Sequence, residues 1–121
     1  CIWVAGHTAS VDDAFLASVF GQQRRLEHWG PHFGMKSAPT TDASAVPSFA
    51  EVKKALAERR EALRSAFSAQ SDAELMQPLP EQLQRFAADR ATLLSTLAAH
   101  ETFHAGQLSA VRRALGHASL F

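Results

Sequence analysis

A chain of 121 residues, 46 % of them apolar, is long enough for one domain with its own core. Twelve Lys and Arg balance twelve Asp and Glu, so the formal net charge is zero; that sets aside the basic excess of a nucleic-acid binder and electrostatic attachment to a membrane surface. No apolar run approaches the ~20 residues of a bilayer span, the single cysteine, Cys1, excludes an internal disulfide and fits a reducing cytoplasm, and no basic segment precedes an apolar stretch of signal-peptide length.

Tyr is absent and Val is sparse, whereas Ala, Leu, Arg, Gln and Glu dominate. That composition favours helices over strands. The first helix is expected from about Trp3 to Val19. Val4, His7, Val11, Phe15 and Ser18 recur at steps of three and four and share one face. Gly21 ends it. Residues 22–47 carry Gly30, Pro31, Gly34, Pro39 and Pro47 and read as a long connection, a kind of segment that is often functional. Within it His28 and His32 have the HxxxH spacing, but Gly30 and Pro31 interrupt a helix between them, so a surface loop is expected. Trp29 and Phe33 are candidates for a lid.

Ser48 and Glu51 have the spacing of a capping box and predict a second helix starting there. Phe49, Val52, Leu56, Leu63 and Phe67 form its buried stripe. Glu51, Lys54, Glu58, Arg60, Glu61 and Arg64 form the wet face. Ser71 and Glu74 repeat the capping-box spacing, and a short helical turn is expected there. Pro80 suits the first turn of the last helix. That helix should run to about Leu115, with Gly116 as its C-terminal cap.

The last helix carries the chemistry. Leu93, Leu97, His100, His104, Leu108, Val111 and Leu115 follow one another at 4, 3, 4, 4, 3 and 4 residues. Two histidines thus occupy core positions, as His7 does on the first stripe. Histidines four apart on a helix sit about 5–6 Å apart at Cβ, close enough to share a metal ion at about 2.0–2.1 Å. Spacing alone leaves two readings open, a three-nitrogen metal site and three separately hydrogen-bonded core histidines. His100-Glu101-Thr102-Phe103-His104 also matches H-E-x-x-H, in which Glu101 would be a zinc protease's general base. Only 17 residues follow His104, none of them acidic, and Ala110 stands where the extended protease motif needs histidine.

Gln107 lies one turn beyond His104 and is a candidate to hydrogen-bond a ligand or substrate. Glu101 flanks the stripe and is a candidate base or ligand-orienting group. Arg112 and Arg113 could meet a substrate carboxylate, though a solvated helix end is the plainer reading. Nothing near Cys1 would lower its thiol pKa.

Trp3-Val4-Ala5-Gly6-His7, His100-Glu101-Thr102-Phe103-His104-Ala105-Gly106-Gln107-Leu108 and Arg112-Arg113-Ala114-Leu115-Gly116 resemble the DinB-like superfamily, which includes bacillithiol transferases. The resemblance covers most of the chain and is specific in the two histidine blocks. It implies an all-α four-helix bundle, here one domain over residues 1–121. It maps the family's three metal histidines onto His7, His100 and His104; Glu101 and Gln107 are catalytic candidates from their positions on the last helix alone.

The family's first metal histidine usually lies on the second helix. Here it lies on the first, so a preceding helix is expected upstream of Cys1. The implied function is thiol S-transfer or hydrolase-like chemistry on a small molecule in a bacterial cytoplasm. The expected cofactor is a divalent ion, Zn or Ni before Fe or Cu, with a low-molecular-weight thiol as co-substrate. Three apolar stripes leave one face without a partner, and a homodimer is expected, as in relatives. The alternatives are a non-catalytic metal-binding stress-response module, an HExxH protease and a purely structural bundle.

Overall fold

The computed structural model describes residues 2–118, so Cys1 lies outside the described residues. The chain is all-helical, with no β-strand among those residues. Three long helices, α1 (Ile2–Phe20), α3 (Phe49–Ser68) and α5 (Arg90–Ala114), make a bundle. One-turn helices α2 (Gly30–Phe33) and α4 (Asp72–Leu75) sit in the connections.

The helix ends follow from local chemistry. Gly21 takes φ +66°, and its N–H donates to Ala17 O at 3.1 Å, the left-handed cap that a Cβ would penalise. Both predicted capping boxes are formed, Ser48 with Glu51 on α3 and Ser71 with Glu74 on α4. At the far end of α5 Gly116 takes φ +81°, and the N–H groups of Gly116 and His117 close on the carbonyls of Arg113 and Arg112 at 3.0 Å. This is a complete Schellman closure.

The start of α5 corrects the sequence expectation. Pro80 opens only a 3₁₀ turn, Glu81–Leu83. The helix begins ten residues later, where the Asp89 side chain accepts from Thr92 N–H at 2.7 Å. An Asp that caps a helix end outcompetes the proline signal, because it satisfies a backbone donor that proline only lacks. The intervening chain is held by Leu79 N–H to Ala88 O at 3.0 Å, and it packs Leu79 and Ala87 into the core.

The core has two parts strung along α1. Phe15, Leu16 and Val19 pack with Leu63, Phe67, Leu79, Ala87 and Leu93. Ala9 packs with Leu26, Trp29, Phe33 and Val52. Trp29 and Phe33 are therefore buried core residues and not a lid. Phe49, expected in the buried stripe, is exposed on the first turn of α3 with Lys53 Nζ over its ring at 5.1 Å.

A buried acid fastens the bundle to its long connection. The Asp13 carboxylate, wholly out of solvent, accepts from Leu26 N–H at 2.8 Å and Arg25 N–H at 3.1 Å. Arg59 Nη1 lies at 3.7 Å, itself buried. Two backbone donors and a guanidinium meet the demand that a buried charge be paired. Neighbouring Asp12 reaches the other way, to Arg60 Nε at 2.8 Å. Arg60 thus leaves the wet face assigned to it and ties α3 to α1.

Candidate metal centre

α1 and α5 run antiparallel, so the first turns of α1 face the C-terminal half of α5. His7, His100 and His104 meet there, each offering one ligand atom within 4.8 Å of the others. His100 Nε2 lies 3.3 Å from His7 Nε2 and 3.1 Å from His104 Nε2. The helical step of four puts the last two rings edge to face, with centroids 4.5 Å apart.

The opposite ring nitrogens are fixed. His7 Nδ1 donates to Phe33 O at 2.8 Å, and His104 Nδ1 donates to Gln107 Oε1 at 2.8 Å. Both partners are acceptors, so both rings carry their proton on Nδ1 and present a bare Nε2 to the common point. His100 has one proton at most to share between two bare nitrogens. At least two lone pairs therefore converge with no proton between them, and a cation satisfies that arrangement.

The donor set fits a metal. Tetrahedral bonds of about 2.0–2.1 Å place neighbouring nitrogens about 3.3 Å apart, against the 3.1 and 3.3 Å found here. The outer bonds to Phe33 O and Gln107 are those that usually orient ligating imidazoles. Burial pushes the His7 and His100 pKa values down. The hydrogen bond to Phe33 opposes this at His7, and proximity to His104 adds to it at both. Both rings are thus biased to the neutral form that ligates. The three histidines together could hold one metal ion.

Local structure explains these positions. Trp3, one turn before His7, stacks on it with centroids 4.8 Å apart and planes 5° apart, and Trp3 Nε1 donates to Ser37 Oγ at 3.0 Å. Gly6 lets the Phe33 ring lie against α1, since a Cβ there would stand 2.4 Å from the ring. That close approach is what delivers the Phe33 carbonyl to His7.

Residues 1–108 match the model of the DinB superfamily. The chain belongs to the DinB superfamily. Neither the curated proteins nor the solved structures give a match. The family assignment is consistent with the helical bundle, and together with the histidine cluster it is compatible with metal binding.

In this DinB chain Gln107 reaches the centre through His104, by way of the Nδ1 hydrogen bond. Glu101 turns to Arg60, which pairs with it and with Asp12. Burial holds the Asp12 carboxyl above its ordinary range despite Arg60. Burial also opposes the Arg60 charge, but its hydrogen bonds to Asp12 and Glu101 outweigh that and raise its pKa. Glu101 and His104 share a crevice of about 180 Å³ with Thr8 and Leu56.

His28 and His32 are not brought to the cluster. His28 is exposed beside Trp29, and the His32 carbonyl accepts from Ser37 Oγ at 3.0 Å. Arg112 is half-buried and Arg113 exposed at the end of α5.

Two contributors escaped the sequence. Phe33 acts through its carbonyl, which no side-chain pattern reports. The Asp12-Asp13 pair facing Arg59-Arg60 was visible as charge interrupting an apolar stripe on one helix and a matching pair on another.

Proposed function

We propose that this DinB chain binds one divalent ion, zinc or nickel, through Nε2 of His7, His100 and His104, and is a metal-dependent enzyme acting on a small molecule by thiol S-transfer or hydrolase-like chemistry. The observation that carries this is the convergence of three Nε2 atoms whose ring partners are fixed by Phe33 O and Gln107. Three protein nitrogens leave coordination positions open, the pattern of catalytic and not structural sites. A bound cation would bring the pKa of a thiol or water toward neutrality.

The chain's own groups supply the rest. Gln107 holds the tautomer and orientation of His104. Glu101, which lines the crevice beside His104 and pairs with Arg60, is the candidate base for the proton that a thiol or water gives up. Trp3 and the surrounding apolar residues exclude water from one side of the histidines.

Elemental analysis and isothermal titration test the reading. One ion per chain is expected, lost in His104→Ala. Turnover of an electrophile only with added thiol would separate S-transfer from hydrolysis. Stoichiometric metal with neither activity would favour a non-catalytic stress-response module. An absence of bound metal at micromolar zinc or nickel would overturn the proposal. A homodimer is also proposed, supported by exposed Phe103 on α5 and Leu115 at its C-terminal cap. Light scattering at twice the chain mass is the expected result, with 13.1 kDa for these 121 residues and a larger unit if a helix lies upstream.

A further inference from the structure

Beside the histidine cluster lies a second, larger cavity of about 530 Å³, which shares Val4 and Leu108 with the crevice at Glu101 and His104. Its walls are Trp3 and Val4 from α1, Pro39 from the connection, and Leu108 and Val111 from α5, with Gln107 as its polar side chain. No charged side chain lines it. The volume lies within the ~300–1,000 Å³ of small-molecule sites, which pair apolar walls with a few placed polar groups.

We infer that this cavity is the subsite for the substrate's apolar part, and that it takes an uncharged, flat, largely hydrocarbon or aromatic group bearing one hydrogen-bond acceptor. Two of the lining side chains are held by contacts of their own. The Trp3 indole is fixed on one face by stacking on His7 and at its edge by Nε1–H to Ser37 Oγ. Gln107 is fixed by accepting from His104 Nδ1. That bond uses the oxygen of the amide, and among the described residues nothing pairs the amide N–H₂. The donor lines the cavity and is aimed by the same contact that orients a histidine of the cluster. A carbonyl or ether oxygen satisfies it. A carboxylate or phosphate finds no countercharge in the lining and must be desolvated against indole and aliphatic carbon, which disfavours anions. Gln107 is in this sense a specificity-determining residue that reads the acceptor and fixes its distance from the histidines.

The inference rests on the metal reading only for what is done to the substrate, not for binding. The experiment uses the zinc-loaded full chain and follows the two indole Nε1–H signals by nitrogen-edited NMR, since the chain has two Trp residues. Acetophenone is the neutral acceptor-bearing probe, ethylbenzene its counterpart without the acceptor, and benzoate the anion. Acetophenone should move the Trp3 signal in a saturable way and leave buried Trp29 in place.

Gln107→Leu, at saturating zinc, should weaken acetophenone about 5–10-fold and leave ethylbenzene unchanged or tighter. Val111→Asp, at a half-exposed position, should weaken both by about tenfold or more. Benzoate should bind more weakly than acetophenone. The inference is overturned if acetophenone moves neither indole or both alike, if benzoate binds better, or if Val111→Asp changes nothing. Zinc content is measured on each sample. Failed probe binding with zinc intact breaks this inference alone, and probe binding in a chain that takes up no zinc breaks only the metal reading.

Discussion

α1 and α5 supply the same centre from opposite circumstances. α1 buries ten of its 19 residues, including Leu16 and Asp13 at full burial. α5 is longer, 25 residues, yet buries only Leu93 and His104. Phe103 stays 63 % exposed and Leu115 71 %. His7 therefore belongs to a helix locked by packing, by Asp13 and by the Phe33 carbonyl. His100 and His104 belong to a helix whose outer half has little apolar burial to hold it. In such a molecule a metal ion would do more than react, because it would tie the loosely held helix to the rigid one.

The largest effect should fall on the rigid side. Asp13→Ala leaves Arg59 buried without its partner and two backbone donors unmet, and should cost about 3–5 kcal/mol in urea unfolding. A loss under ~1 kcal/mol would mean that packing alone locks α1.

Next comes the metal. Zinc at about a hundredfold excess over its dissociation constant should stabilise the fold by about 2.7 kcal/mol. Hydrogen exchange should show protection gained at residues 100–114 far more than at 9–19. Equal gains on both helices would remove the contrast.

Gln107→Leu should lower zinc affinity about 10–100-fold by chelator competition, while leaving metal-free stability within about 0.5 kcal/mol, since Gln107 is exposed. An unchanged affinity would show that His104 needs no orienting partner.

The smallest effect is the pH dependence of the metal-free protein. His7 and His100 have pKa values below the ordinary 6.5 when folded. Below that value the unfolded chain binds more protons than the folded one, so stability falls as pH drops from about 6.5 through the lowered folded values. Denaturation at pH 7.5 and 5.5 reads this slope, and His7→Ala and His100→Ala should each flatten it. The larger flattening identifies the helix whose histidine is more strongly desolvated.

Helix ends were legible wherever a nearby residue closes the backbone locally. Ser48 and Ser71 do so with their hydroxyls, Gly21 and Gly116 by taking a left-handed φ, and each was readable. Pro80 misled because the competing cap at Asp89 decides only once Leu79 and Ala87 find the core. The three histidines were legible as polar residues at core positions of two stripes, and the DinB resemblance favoured the metal reading over the other. Arg60 was misplaced because a helical wheel shows a face and not what stands opposite it. Asp12 and Glu101 become its partners only when three helices meet.

By itself the sequence determined the three long helices, the caps at Gly21, Ser48, Ser71 and Gly116, and the three histidines able to ligate, because periodicity and capping are properties of a few consecutive residues. Tertiary structure alone decided which atom of each histidine points inward. The proton position on His7 is set by a carbonyl 26 residues away, brought there by a glycine that admits a phenyl ring. The apolar cavity likewise exists only because Trp3 and Val111, at opposite ends of the chain, become neighbours when α1 and α5 pack antiparallel.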